Sequence, residues 1–263
     1  MNAPLRGPQD TRFYPVVHVT QTGSTNNDVA TEARRGASEG FTLVADYQTE
    51  GRGRLERRWL ASQGDSLLLS TLLKPGVELV PVVPLLAGLA VQQAVQRLLP
   101  DVDPALIGLK WPNDVLVLDS RKPKLAGILA ESTIVGSVAS VVVGIGLNIK
   151  FSVEPPDEIA ERAVSLAQLG SAQISNQEAL TAVLSSLEHW LAAAEESGPE
   201  FIVTAYRARC STVGEDITFT DPAGETLQGR VTGISSSGGL RVDADSGQHT
   251  IHSGDIWHLG LTT

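Results

Sequence analysis

The sequence predicts an α+β fold, with a mixed, mostly antiparallel sheet, packed helices and a small β-barrel at the C-terminal end. Three observations carry this. Apolar strand patterns between residues 106 and 145 are joined by short connections, and strands so close in sequence pair antiparallel, because parallel crossovers need longer links. Two long segments repeat apolar residues at helical spacing. After about Ser211 the chain turns into short strands separated by turn sequences.

Taken in order, residues 1–12 read as a loose polar tail. A strand and a turn follow Phe13, then a helix that Ser24 or Thr25 caps and Gly36 ends. Residues 43–47 form a short strand leading into an arginine-rich loop. The run SLLLSTLL, Ser66–Leu73, is apolar enough for a buried strand. Residues 84–99 read as an amphipathic helix, with Leu85, Leu86, Leu89, Val95, Leu98 and Leu99 as its apolar face and Pro84 and Pro100 as brackets. Strands are expected at 106–111, 115–118, 125–131 and 138–145. A long helix starts at Ser175, where Glu178 completes a capping box, buries Leu180, Val183, Leu184, Leu187, Trp190 and Leu191, and stops at Ser197-Gly198-Pro199. The last part holds the strands DITFTD, ETLQGRVTGI, LRVDA, HTI and DIWHLG. A unit of that size has a marginal core and leans on its neighbour. The expected division is a tail 1–12, a catalytic domain 13–211 and a β domain 212–263.

The 263 residues carry 42% hydrophobic side chains, too many for disorder. The net charge of -10 argues against a protein that coats nucleic acid. Cys210 is the single cysteine, which excludes an intrachain disulfide and a cysteine-rich zinc site and fits a reducing cytoplasm. It reads as a small buried hydrophobe. The N-terminus has no signal-peptide core, and the longest apolar runs, at 82–91 and 138–147, are too short to cross a membrane. No P-loop, dinucleotide fingerprint, nucleophile elbow or HExxH motif is present. His249, His252 and His258, the three histidines near the C-terminus, read as surface residues, and no metal ligands are assigned.

Three clusters remain. In Gly51-Arg52-Gly53-Arg54-Leu55-Glu56-Arg57-Arg58-Trp59, glycine lets a ligand approach backbone, arginine pairs with phosphate or carboxylate, and Trp59 can cover an aromatic ligand. A solvated basic loop, or an RNA-binding scrap, is the plainer reading of GRGR alone. The four arginines repel one another, so the loop should be mobile until an anion arrives. Lys110-Trp111-Pro112-Asn113-Asp114 is either a strand end with a proline turn or a pocket rim bearing a cation, an amide and a carboxylate. Lys122-Pro123-Lys124-Leu125-Ala126-Gly127-Ile128-Leu129-Ala130-Glu131 puts Lys124 at the head of an apolar strand, where it either reaches solvent or meets an anion. The three together, in this order, are specific.

With GSTN at 23–26, DYQTEGRGRLERRW at 46–59, KWPNDV at 110–115, KLAGIL at 124–129 and GIGLN at 144–148, the chain resembles the biotin protein ligases from residue 13 to its end. The resemblance implies a class II synthetase-like catalytic domain and an SH3-like C-terminal unit. It implies an enzyme that makes biotinyl-5'-AMP from biotin and ATP, with Mg2+, and passes biotin to one lysine of a biotin carboxyl carrier protein domain. It assigns biotin contacts to Ser24, Thr25, Asn26, Gln48, Gly51, Arg52, Gly53, Arg54, Lys124, Gly127 and Gly144. It assigns nucleotide contacts to Arg54, Arg57, Trp59, Asn113, Lys124 and Asn148. The catalytic set is Lys124, Arg54 and Asp114, the last expected to orient the incoming amine. The loop departs from the family pattern at Leu55-Glu56. Only a short polar segment stands where some relatives carry a DNA-binding domain, so no DNA partner is expected; neither is a membrane, and a homodimer is left open. The rival readings are a lipoate or octanoate transferring enzyme, a nucleotide-sensing regulator without catalysis, and an RNA-binding protein.

Overall fold

The computed structural model describes residues 4–55, 57–155, 157–170, 173–220, 224–252 and 256–258. Its large sheet has seven strands in the order β1-β2-β3-β7-β6-β5-β4. The strands are β1 (Val16–Val19), β2 (Thr42–Ala45), β3 (Ser66–Leu73), β4 (Ile107–Lys110), β5 (Asp114–Val117), β6 (Lys124–Val135) and β7 (Val138–Asn148). Only β1 and β2 pair parallel, with α1 (Thr25–Arg34) as the crossover; every other pairing in this sheet is antiparallel.

Period-two alternation splits the sheet into two faces. Leu67, Leu69 and Leu73 of β3 join Val143, Ile145 and Leu147 of β7 in the main core, under α2 (Val83–Leu98) and α4 (Asn176–Ser197); the one-turn α3 (Asp157–Ala160) lies between these two helices in the chain. On the other face Leu72 and Val142 pack with Val29 of α1. That explains why all eight residues of β3 are buried. It also leaves the part of this second face not covered by α1 open for a site.

Helix α2 is buried nearly all round, down to Ala87, Ala90 and Ala94 as well as the expected Leu85, Leu86 and Leu89, while Leu98 is half-buried. By length and composition the stretch Val77–Leu98 would suffice to cross a bilayer, unlike the shorter run visible in the sequence. Its most apolar window is instead 67% buried inside the protein, where it serves as the core helix. The capping box at Ser175 and Glu178 forms as expected. Its reciprocal hydrogen bonds with Ser175 hold the Glu178 carboxyl below the ordinary carboxylate range.

Gly198, at φ 79, does end α4, but the chain then re-enters a helix, α5 (Pro199–Arg207). Pro199 suits its first turn, and Ile202, Val203 and Tyr206 are its buried stripe. Residues 5–12 do not hang loose. Leu5 donates its amide to His18, Arg6 exchanges two hydrogen bonds with Gln177, and Arg12 pairs with Glu188 and Glu195 of α4.

The C-terminal part is a five-stranded antiparallel sheet in the order β11-β10-β9-β8-β12. Its strands are β8 (Asp216–Thr220), β9 (Thr226–Ile234), β10 (Leu240–Ala244), β11 (Gly247–Ile251) and β12 (Ile256–His258). This is the SH3-like unit. Ile217, Phe219, Val231, Leu240 and Val242 are continuous with the main core. The two units are stitched at Trp111, whose backbone N–H donates to Thr212 Oγ1 and whose indole donates to the Gly238 carbonyl. Lys122 adds an ion pair to Glu215. His252 is exposed, as expected, while the surroundings of the His258 side chain lie outside the described residues.

Candidate active site

The open face of the sheet carries a floor of small residues. Across the strands, Leu68 faces Gly146, Gly146 faces Gly127, and Gly127 faces Asp114; one row along, Ser70 faces Gly144 and Gly144 faces Leu129. The glycines are needed for close approach. A Cβ on Gly144 would lie 2.1 Å from Asn26 Oδ1, and one on Gly146 would lie 2.6 Å from the Trp59 indole.

At one end of this floor the N-terminus of α1 supplies Ser24, Thr25 and Asn26, all buried. Ser24 is the N-cap residue, yet its hydroxyl makes no capping bond and lines the cleft. Thr25 donates both its N–H and its hydroxyl to Gln48 Oε1, at 2.7 and 3.0 Å. That turns the Gln48 amide NH2 away from Thr25. The fully buried Ser70 hydroxyl lies 2.7 Å from Thr25 Oγ1 and 2.6 Å from Asn26 Oδ1. A buried polar chain of this kind is costly unless every member is satisfied, so these side chains are held in fixed orientations.

The other end is cationic. Lys124 Nζ, at the start of β6, stands 2.7 Å from Asp114 Oδ1 on β5 and 5.5 Å from the centre of the Trp59 ring. The first contact is a charge pair outside hydrogen-bonding alignment. Lys110, Arg54, Arg57 and Arg58 line the same cleft. Arg54 donates to Asn113 Oδ1, and Asn113 Nδ2 donates to the Ile128 carbonyl, so Asn113 is anchored to β6. The Trp59 ring lies close to Gly127 and Gly146, and among the described residues its buried indole N–H has no partner. Buried donors are nearly always paired, so this one marks a place where a ligand acceptor would fit.

The arginine loop crosses above. Its ends are held by Trp59 N–H to the Gly51 carbonyl, Gly53 N–H to the Arg57 carbonyl, and a bridge between Arg52 and Arg58. Leu55 sits at φ 52, a left-handed conformation that costs a residue of this size roughly 1–2 kcal/mol. The negative charge that the sequence left to the ligand is partly supplied by the protein. Arg52 pairs with Glu131 and Asn27, and Arg58 donates to the Thr49 carbonyl.

Residues 15–148 match the biotin/lipoate A/B protein ligase family and residues 212–259 match the biotin protein ligase C terminal domain. A biotin--[acetyl-CoA-carboxylase] ligase of Mycobacterium tuberculosis is 37% identical over 92% of this chain and 88% of its own length. The chain belongs to the biotin/lipoate A/B protein ligase family. The bifunctional ligase/repressor BirA of Bacillus subtilis is 31% identical over 85% of this chain and 68% of its own. The biotin protein ligase of Aquifex aeolicus, solved in complex with biotin and ATP, superposes with a TM-score of 0.76 at 30% identity, over 93% of this chain and 98% of that one.

In this ligase the cleft gathers Ser24, Thr25, Asn26, Gln48, Arg52, Gly53, Arg54, Arg57, Trp59, Asn113, Asp114, Lys124, Gly127 and Gly144. Two of the expected site residues do not line it. Gly51 is buried at the base of the loop, where a Cβ would strike the Trp59 carbonyl at 2.4 Å. Asn148 is buried at the end of β7, where its amide donates to the Val164 and Lys124 carbonyls and accepts from Ser66. That satisfies it structurally and turns it from the cleft. Sequence reasoning assigned no role to Leu68, Ser70, Gly146 or Glu131, although Gly146 and Glu131 stand within its motifs. Gly146 is one alternation from Gly144, and that spacing of two was the signal available.

Proposed function

We propose that the ligase activates biotin with ATP as biotinyl-5'-AMP and transfers it to one lysine of a biotin carboxyl carrier protein domain. The observation that carries this is the polarity of the cleft. The hydroxyls and amides of Ser24, Thr25, Asn26 and Gln48, backed by the buried Ser70, stand at one end and a set of cations at the other. A ureido ring brings N–H donors and a carbonyl acceptor to such a chain. The dithiolane ring of lipoate would leave it unpaired, and unpaired buried polar groups discriminate strongly against a ligand.

In this reading the biotin carboxylate lies toward Lys124 and attacks the α-phosphorus of ATP; the bond to the β-phosphate oxygen breaks and pyrophosphate leaves. Two anions must meet, so the work is positioning and charge neutralisation. Lys124, Arg54 and Arg57 supply the charge, and Asp114 fixes Lys124 until the anions arrive. Trp59 and Asn113 face the nucleotide. Mg2+ would enter on the triphosphate and lower its charge; among the described residues no group of three or more His, Cys, Asp or Glu side chains would hold such an ion. In the second step the carrier lysine, neutral though its free pKa is about 10.4, attacks the acyl carbon and AMP leaves. Asp114, close to Lys124, is the group proposed to orient that amine.

The test is incubation of the ligase with ATP, Mg2+, biotin and a carrier domain, followed by mapping of the mass added. One biotinylated lysine on the carrier supports the reading. An unmodified carrier, or modification only with lipoate, overturns it.

A further inference from the structure

Glu131, half-buried on β6, closes the third sequence cluster without a role assigned to it there, yet it touches both ends of the machinery on this face. One carboxylate oxygen accepts from Arg52 Nη2 of the arginine loop at 2.5 Å, and the other accepts from Asn26 Nδ2 at 2.9 Å. The orientation of the Asn26 amide is fixed independently, because the same Nδ2 donates to the Leu129 carbonyl and Oδ1 accepts from Ser70. Arg52 completes its fork with Nη1 on Asn27 Oδ1 at 2.6 Å, at the start of α1. Both partners of Glu131 are therefore donors. Only an acceptor with two oxygens satisfies them together, which a carboxylate is and an amide is not.

We propose that Glu131 is a positioning residue that couples the head-group end of the cleft to the arginine loop. A hydrogen-bonded path runs from Ser70 through Asn26 and Glu131 to Arg52, with Thr25 and its partner Gln48 held against the Ser70 end. A ligand that tightens Asn26 and Thr25 tightens the acceptor that holds Arg52. The loop is thereby latched over the cleft when the head-group end is filled, and a reactive mixed anhydride stays out of water. The ligand named here rests on the biotin reading; the latch itself does not.

The isosteric substitution Glu131→Gln tests it, since it keeps the shape and leaves one donor facing another. Glu131 is exposed enough, at 38% of its side chain, for the variant to fold. In the ligand-free protein, hydrogen exchange of the Gly53 and Trp59 amides should quicken by about fivefold, the scale of a partly exposed ion pair, with the β3 and β7 amides unchanged as the control. With biotin and ATP, release of biotinyl-5'-AMP should rise by a similar factor while its rate of formation stays within about twofold of normal. Arg52→Gln should give the same loop exchange, and the double variant no more. Unchanged loop exchange in Glu131→Gln, or single effects that add in the double variant, would overturn the latch. Should the wild-type ligase form no biotinyl adenylate, the biotin reading fails alone, and the exchange measurements still decide the latch.

Discussion

At the scale of single residues, chemistry was legible where several unusual residues stood together and illegible where one polar residue sat in an apolar strand. Lys124 was visible as a lysine heading an apolar run. Asp114 was singled out too, but not as the partner of Lys124, because their meeting depends on the register of β5 against β6, which shifts beside Val115 and Leu116. Ser70 and Glu131 looked like incidental polar positions in strands; only pairing geometry shows that they hold Thr25, Asn26 and Arg52. Asn148 is the opposite case, since its place in a motif said nothing of the backbone carbonyls to which its amide donates. Lys124→Ala should slow adenylate formation by about a hundredfold, the scale of losing one preorganised charge partner. Near-normal single-turnover adenylation in that variant would remove Lys124 from the mechanism. Gly144→Ala puts a methyl group 2.1 Å from Asn26 Oδ1, which Ser70 keeps from yielding. Its biotin affinity, measured by calorimetry, should fall by at least about tenfold, the range of one displaced buried hydrogen bond, and binding unchanged from wild type would contradict the placement of Asn26.

At the scale of elements, periodicity and capping located α2 and α4 and most strands, because these signals are local. Helix α5 was missed because Gly198-Pro199 reads as a stop; the proline that ends one helix also opens the next. The docked N-terminal segment was missed because its anchors lie far along the chain. Arg12 reaches Glu195 at 2.7 Å and Glu188 at 3.0 Å. The pairing with Glu195 holds the Arg12 guanidinium more firmly protonated and pulls the Glu195 carboxyl below its ordinary value of 4.5. A depressed carboxyl stabilises the fold above its unfolded-state pKa, and that contribution is lost as pH falls through the lower folded value. Glu195→Gln should therefore cost about 0.5 kcal/mol near neutral pH, a small figure because Glu195 is partly exposed, and nothing in strong acid. Thermal unfolding across pH 3 to about 7 checks it; a deficit that persists or grows in acid would assign the variant's effect elsewhere.

At the scale of the whole molecule, the seven-stranded sheet offers one covered face and one partly open face, and the site occupies the open one beside α1. The SH3-like unit is not remote from it. Trp111, 2% exposed, lines the cleft and hangs from Thr212 and Gly238. The neighbouring Asn113 and Asp114 inherit their positions from that joint. Removing residues from 212 onward should slow adenylate formation by about tenfold or more, since small misplacements of positioning groups are costly. A truncated chain that adenylates at the normal rate would show that the joint is dispensable. The reading as a whole stands on one discrimination, between a polar ureido head and an apolar dithiolane. Exchange of labelled pyrophosphate into ATP, run with biotin and with lipoate in parallel, measures it most directly. Exchange that depends on biotin and is absent with lipoate is the result expected; exchange with lipoate alone, or with neither, would contradict the account.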